Sequence, residues 1–145
     1  MVSIKKILAP VDGSEYMRKE LELACDLART FGAELTIFHV IAMPISAEIS
    51  GIPVAATEME EAGRQVIESA KKVAESCGVT PKYDVEFSSG NPGMKIVRRA
   101  DSEGTDLIVI GAKGKNRLRE ILMGSVANSV VNNAHCLVLV VHQTE

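Results

Sequence analysis

The chain has 145 residues, 46% of them apolar and 24% charged, and its 16 Lys and Arg against 19 Asp and Glu leave a net charge of −3. A chain of this size forms one domain, 1–145, that buries roughly two thirds of its unfolded surface without staples. This composition excludes intrinsic disorder; Cys25, Cys77 and Cys136, odd in number and without a C-x-x-C, exclude a disulfide scaffold; and no apolar run approaches the ~18 residues of a membrane span.

Ile7–Val11 is a short apolar block of the kind a buried strand makes. Met17, Leu21, Ala24, Ala28 and Phe31 then recur at spacings of four and three, predicting a helix with Ser14 as N-cap and Gly32 just past its end. Leu35–Ala42 is β-branched and strand-like. Residues 43–57 carry two Pro and one Gly without a clear period and read as a long loop, a type often used as a lid or partner surface. Met59, Ala62, Val66, Ala70, Val73 and Cys77 form a second helical stripe, more in keeping with a core than with a partner groove. Thr57 and Glu60 set a capping box before it and Gly78 a stop after it. Its other face, with Glu61, Arg64, Glu68, Lys71 and Glu75, is a solvated charged face.

Tyr83–Phe87 alternates in polarity, as a strand with one face exposed does at a sheet edge. Asn91 followed by Pro92 predicts an N-cap with Pro at the first helical position, and the helix through Ile96, Val97 and Ala100 ends near Gly104. Leu107–Ile110 is a wholly apolar strand. Val126, Val130 and Ala134 mark the last helix, and Leu137–Val141 the last strand. Strict β-α alternation with apolar strands predicts an α/β fold, a parallel sheet covered on both faces and doubly wound. Its ligand site is expected beyond the carboxyl ends of the strands, on the loops starting at Asp12, Ile41, Ser88 and Gly111.

The segment 107–126, LIVIGAKGKNRLREILMGSV, concentrates the chemistry. Gly111, Gly114 and Gly124-Ser125 give the pattern G-x2-G-x9-G-S between a strand and a helix. Glycines admit close approach of a bulky anion, the helix start offers unpaired N–H groups, and Ser125 adds a hydroxyl. Lys113, Lys115, Arg117 and Arg119 place four cations in seven residues of an otherwise acidic chain. Together these features point to a phosphate binder, although such glycines also serve as plain turns. The standard nucleotide fingerprints G-x-x-x-x-G-K-[ST] and G-x-G-x-x-G are absent.

The G-x2-G-x9-G-S segment resembles that of the universal stress protein family. The opening KKILAPVDGSE, the G-x-P turn in SSGNPGMKIV and the ending GSVANSVVNNAHCLVLVV resemble the family as well, so the likeness covers essentially the whole chain. It implies an open, Rossmann-like five-stranded sheet of order 3-2-1-4-5. It also implies membership of the ATP-binding branch, which carries this glycine pattern. By resemblance, Pro10, Val11 and Asp12 would line the adenosine part of the pocket and Val40 would contact adenine. Gly111 and Gly114 would pass the ribose and phosphates, and Gly124, Ser125 and Val126 would hold the phosphates. Two departures stand out. Ala112-Lys113 replaces a frequent Ser with His or Arg, which bears on the phosphate contacts, and Ala-His-Cys-Leu replaces Ala-Pro-Cys-Pro before the last strand.

Asp12 suits ribose hydroxyls or a metal, and a turn before Gly13 accounts for it equally well. An Mg²⁺ or Mn²⁺ ion bridging nucleotide phosphates is consistent with a single carboxylate, since phosphates and water complete such sites. His39 lies in an apolar strand and reads as packed rather than as a base; His135 and His142 flank the last strand. There is no G-x-S-x-G elbow and no metal-ligand spacing, and the cysteines read as core thiols. The apolar strand Leu137–Val141 would lie at a sheet edge, where pairing with a second copy gives a twofold homodimer.

The expected function is therefore an ATP-binding sensor or switch, with ADP and AMP as alternative ligands. No general base or second carboxylate is evident near the phosphates, so fast hydrolysis is not supported. A genuine ATPase or nucleotide-activating enzyme, and a dimeric interaction module without nucleotide, are the other readings. Mild acidity and 3% aromatic content give no reason to expect nucleic acid. The apolar stretch after the first lysines is too short for a signal peptide, so a cytoplasmic protein with reduced thiols and no membrane association is expected.

Overall fold

Strand residues alternate between two apolar environments, and this alternation builds the sheet. In the computed structural model, residues 3–43, 56–113 and 123–142 are described. The elements follow in the order β1 (Lys6–Val11), α1 (Met17–Phe31), β2 (Glu34–Met43), α2 (Ala56–Glu75), β3 (Lys82–Ser89), α3 (Pro92–Glu103), β4 (Leu107–Gly111), α4 (Ser125–Asn133) and β5 (Leu137–Val141). The five strands form one sheet of order β3-β2-β1-β4-β5, every pair parallel. The expected α/β fold, its strand order and the doubly wound layout are all present.

Because successive side chains point to opposite faces, the strands feed two cores. Ile7, Ala9, Val11, Leu35, Ile37, Leu107 and Val109 pack with α1 and α2. Leu8, Phe38, Val40, Ile108 and Ile110 pack with α3 and α4. Each fully buried aliphatic or aromatic side chain contributes about 1.5–3 kcal/mol of transfer free energy, so the central strands, apolar on both faces, anchor the molecule. Asp106 fixes the entry to β4 against β1: its Oδ2 accepts from the amides of Lys5 and Lys6 at 2.8 and 3.0 Å, which lowers its pKa.

Helix ends follow local chemistry. Asn91 caps α3, its side chain accepting from the Gly93 amide at 2.7 Å with Pro92 at the first position. Gly32 and Gly104 close α1 and α3 in the left-handed conformation at φ 64° and 67°, which costs glycine least. Three expectations are corrected. Ser14 is not the cap of α1: Tyr16 holds that position without a side-chain capping bond, while the Ser14 carbonyl accepts from the Met17 amide at 3.1 Å. Thr57 lies inside α2, which begins at Ala56, so the capping box does not form there. Phe31, expected on the apolar face of α1, is 47% exposed. Of the long loop predicted at 43–57, Met43 belongs to β2 and 56–57 to α2, and residues 44–55 lie outside the described residues. No helix among the described residues is long and apolar enough to cross a membrane.

Candidate functional site

The chain runs outward from β1 to β3 and then returns to β4 beside β1, so the carboxyl ends of β1 and β4 diverge into a crevice. A cavity of about 540 Å³ opens there. Pro10, Val11 and Asp12 from β1, Val40 from β2, Gly111 from β4, and Gly124, Ser125 and Val126 at the start of α4 all line it. Gly114, with Lys115, Arg117 and Arg119, lies outside the described residues, whereas Lys113 is on the cavity wall. Ser88 is not among the lining residues; the β3 side is represented instead by Pro92 and Ile96 of α3.

The cavity is chemically two-sided. Val40, Ile41, Val66 and Ile96 supply an apolar slot, while Asp12, Lys113 and the first turn of α4 supply polar groups. Gly124 has φ −74° and ψ 171°, extended backbone that any residue adopts. Its amide is not free for an anion: it donates to the Ala112 carbonyl at 2.6 Å, and the Ala112 amide donates to Val141 at 2.9 Å. The first bond within α4 runs from Asn128 to Gly124 at 2.9 Å. The amides of Ser125, Val126 and Ala127 thus precede the helical ladder, and no carbonyl among the described residues takes them. Those three amides and the Ser125 hydroxyl are hydrogen-bond donors at this end of the crevice, with Gly124 acting as a structural tie.

Asp12 makes the turn that its place before Gly13 suggests: its Oδ1 accepts from the Ser14 amide at 2.9 Å, and Gly13 takes φ 80°. His39 is packed, its Nδ1 donating to the Val11 carbonyl at 2.7 Å, and its ring also reaches the cavity wall. The stripe on α2 is divided. Val66, Ala70, Val73 and Cys77 enter the core, but Met59 and Ala62 face the cavity. Gly63 lies between them because a Cβ there would meet Ile41 Cδ1 at 2.7 Å.

Sequence reasoning missed one polar group altogether. Glu20 of α1 is 4% exposed and lines the cavity near Asp12 and Gly111, so a second carboxyl does reach the site. Burial raises its pKa well above the ordinary carboxylate range, the Asp12 charge adds to the rise, and a hydrogen bond from the Gly111 backbone opposes it. Its spacing carried the signal: position 20 is three from Met17 and four from Ala24, on the apolar face of the helix. Among the described residues no group of three or more His, Cys, Asp or Glu is disposed to hold a metal. A second hollow of about 350 Å³, at the amino ends of the strands, is lined by Lys6, Glu34, Lys82 and Arg99. Glu34, Lys82 and Arg99 are engaged in ion pairs such as Lys82–Glu34 at 2.9 Å and Arg99–Glu86 at 2.7 Å, and Lys6 Nζ donates to the Glu103 carbonyl at 2.9 Å.

The model of the Universal stress protein family matches residues 3–142. The chain belongs to the universal stress protein family. Universal stress protein MJ0531 of Methanocaldococcus jannaschii is 37% identical over 143 residues, covering 94% of this chain and 81% of that relative. Among solved structures, that of protein MJ0577 from the same organism superposes with a TM-score of 0.82 at 32% identity, covering 99% of both chains. A universal stress protein in complex with cAMP superposes with a TM-score of 0.72 at 25% identity, covering 99% of this chain and 100% of the other.

Proposed function

We propose that this universal stress protein binds an adenine nucleotide, ATP or its ADP and AMP forms, in the β1–β4 crevice. It would act there as a nucleotide-dependent sensor or switch in the stress response, with slow or no hydrolysis. The carrying observation is the pairing, in one cavity, of an apolar slot with the unladdered amides of Ser125–Ala127. An adenine ring needs the first, and a phosphate chain needs the second. In this reading Pro10, Val11, Asp12 and Val40 receive the adenosine, Gly111 and Gly114 pass the ribose and phosphates, and Gly124, Ser125 and Val126 seat the phosphates. The relative solved with cAMP supports an adenine nucleotide as the ligand class.

An Mg²⁺ or Mn²⁺ ion, if present, would neutralise phosphate charge. Asp12 is the protein carboxylate placed to help hold it, with phosphates and water supplying the other ligands. Slow turnover fits the Asp12 carboxyl, which is engaged by its turn. The edge strand β5 exposes Leu137 at 54% and Leu139 at 37%, which favours a homodimer paired through Leu137–Val141. The reading also places the protein in the cytoplasm.

The test is direct. Freshly purified protein is denatured and its supernatant analysed for nucleotides, and steady-state phosphate release is measured on the folded protein. Stoichiometric adenine nucleotide with negligible turnover is expected. Turnover of several per second would make the protein an ATPase. Absence of nucleotide, with no binding in calorimetry, would leave an interaction module.

A further inference from the structure

The cavity contains a polar group that the assigned contacts leave unused. Glu20 Oε2 is fully buried and has no hydrogen-bond partner among the described residues, although the side chain borders open cavity. A buried polar atom without a partner is costly, and native proteins keep few of them. Because the Glu20 side chain lines the ligand cavity, a bound ligand is a partner such an atom could gain.

We propose that Glu20 acts as a carboxylic acid in this crevice, its Oε2–H donating a hydrogen bond to an acceptor oxygen of the bound nucleotide, so that the ligand binds together with a retained proton. The inference rests on the nucleotide reading above and adds a specificity residue and a pH dependence to it.

The surroundings decide which form of Glu20 suits the ligand. From β1, Asp12 presents a second carboxyl. From the end of β4, the Gly111 amide donates toward it, and Lys113 lines the same cavity without an ion pair to Glu20 among the described residues. From β2 comes His39, whose Nδ1 is engaged by Val11, and from α1 itself comes Tyr16. A carboxylate here offers only acceptors, so it would meet both Asp12 and an anionic ligand with like charge. The acid offers a donor, which an oxygen-rich ligand requires. Gly111 lies beside the carboxyl, where a Cβ would stand at ordinary contact distance, 3.6 Å, from Glu20 Oε1.

Three measurements on the full chain test this, using ADP with EDTA present. First, the Glu20 carboxyl carbon is followed by ¹³C NMR with pH, free and ADP-bound. A pKa above the ordinary carboxylate range is expected in both states, and a higher one in the complex. Second, ADP affinity is measured by calorimetry across the pH range in which Glu20 ionises. The wild type is expected to lose affinity with rising pH, by up to tenfold per unit. E20Q, which retains a donor and does not ionise, is expected to lose this dependence. Third, E20L, which fills the space without a donor, is expected to bind tenfold to a hundredfold more weakly, with its fold checked by circular dichroism. Titration of Glu20 in the ordinary carboxylate range, an unchanged or lowered pKa on binding, or parallel pH profiles for wild type and E20Q would each overturn the proposal. So would ADP binding that appears only with Mg²⁺ and is lost in E20Q, which would make Glu20 a metal ligand. Failure of the wild type to bind ADP at any pH would overturn the nucleotide reading and this proposal together, and it is recognisable because the NMR titration would still report the acid.

Discussion

At the scale of single residues, three positions carry separable predictions. The Ser125 hydroxyl stands beside the amides that precede the α4 ladder, so Ser125→Ala should cost about 1.5–3 kcal/mol of nucleotide affinity if it meets a charged phosphate, read by calorimetry. Gly124→Val should abolish binding by filling phosphate space. Its backbone at φ −74°, ψ 171° accepts valine, so thermal stability should change little, and a collapse of the fold would show instead that Gly124 is needed for packing. Glu20 predicts a stability effect independent of any ligand. Its folded pKa is raised, so the stability it contributes is full below the unfolded carboxylate value, near ~4.3, and is lost as pH rises through the folded value. Urea unfolding should therefore show E20Q gaining on the wild type as pH rises above the ordinary carboxylate range; identical profiles would place Glu20 in contact with water. Glu20 escaped the sequence reading because a glutamate within an apolar stripe is ordinarily taken as a flank, and only tertiary packing shows that its head has nowhere to snorkel.

At the scale of elements, α3 and α4 approach so closely that a Cβ on Gly93 would lie 2.6 Å from Ser129 Cβ. Overpacking of this kind costs about 1–3 kcal/mol, more than alanine gains over glycine in a helix. Gly93→Ala should therefore lower the urea midpoint, and a rise would mean that the two helices separate easily. Asn91→Ala should remove about 1 kcal/mol by leaving the Gly93 amide uncapped. Asn91-Pro92 and Gly104 were legible because the residue types are specific to their positions. Ser14 and Thr57 misled because hydroxyl residues serve turns, interiors and caps alike, and the choice depends on where neighbouring strands end. The stripe Met59–Cys77 was legible as a face, but periodicity carries no information on whether that face meets core or cavity. Here it meets both.

At the scale of the whole molecule, the alternation of apolar blocks and helical stripes sufficed for a doubly wound parallel sheet, because each strand reads as buried on both sides. The order 3-2-1-4-5 came from resemblance; pattern alone does not choose which strands neighbour. The candidate site was legible along β1, β2, β4 and α4, where glycines and strand ends mark it, and illegible on α1 and α2, which reach it only through packing. The proposed homodimer predicts that Leu139→Lys, on the exposed side of β5, converts the protein to a monomer in sedimentation experiments with little change in ADP affinity. A dimer that persists would point to another face.

The bond from Gly124 to Ala112 has a further consequence. It closes the chain on itself at the foot of the glycine-rich segment, and Ala112 is in turn held to Val141. The two banks of the crevice are thereby registered by main-chain atoms alone, whatever side chains intervene. Insertions, deletions and exchanges between these anchors should therefore leave the scaffold standing, so that variation in this stretch needs no new fold.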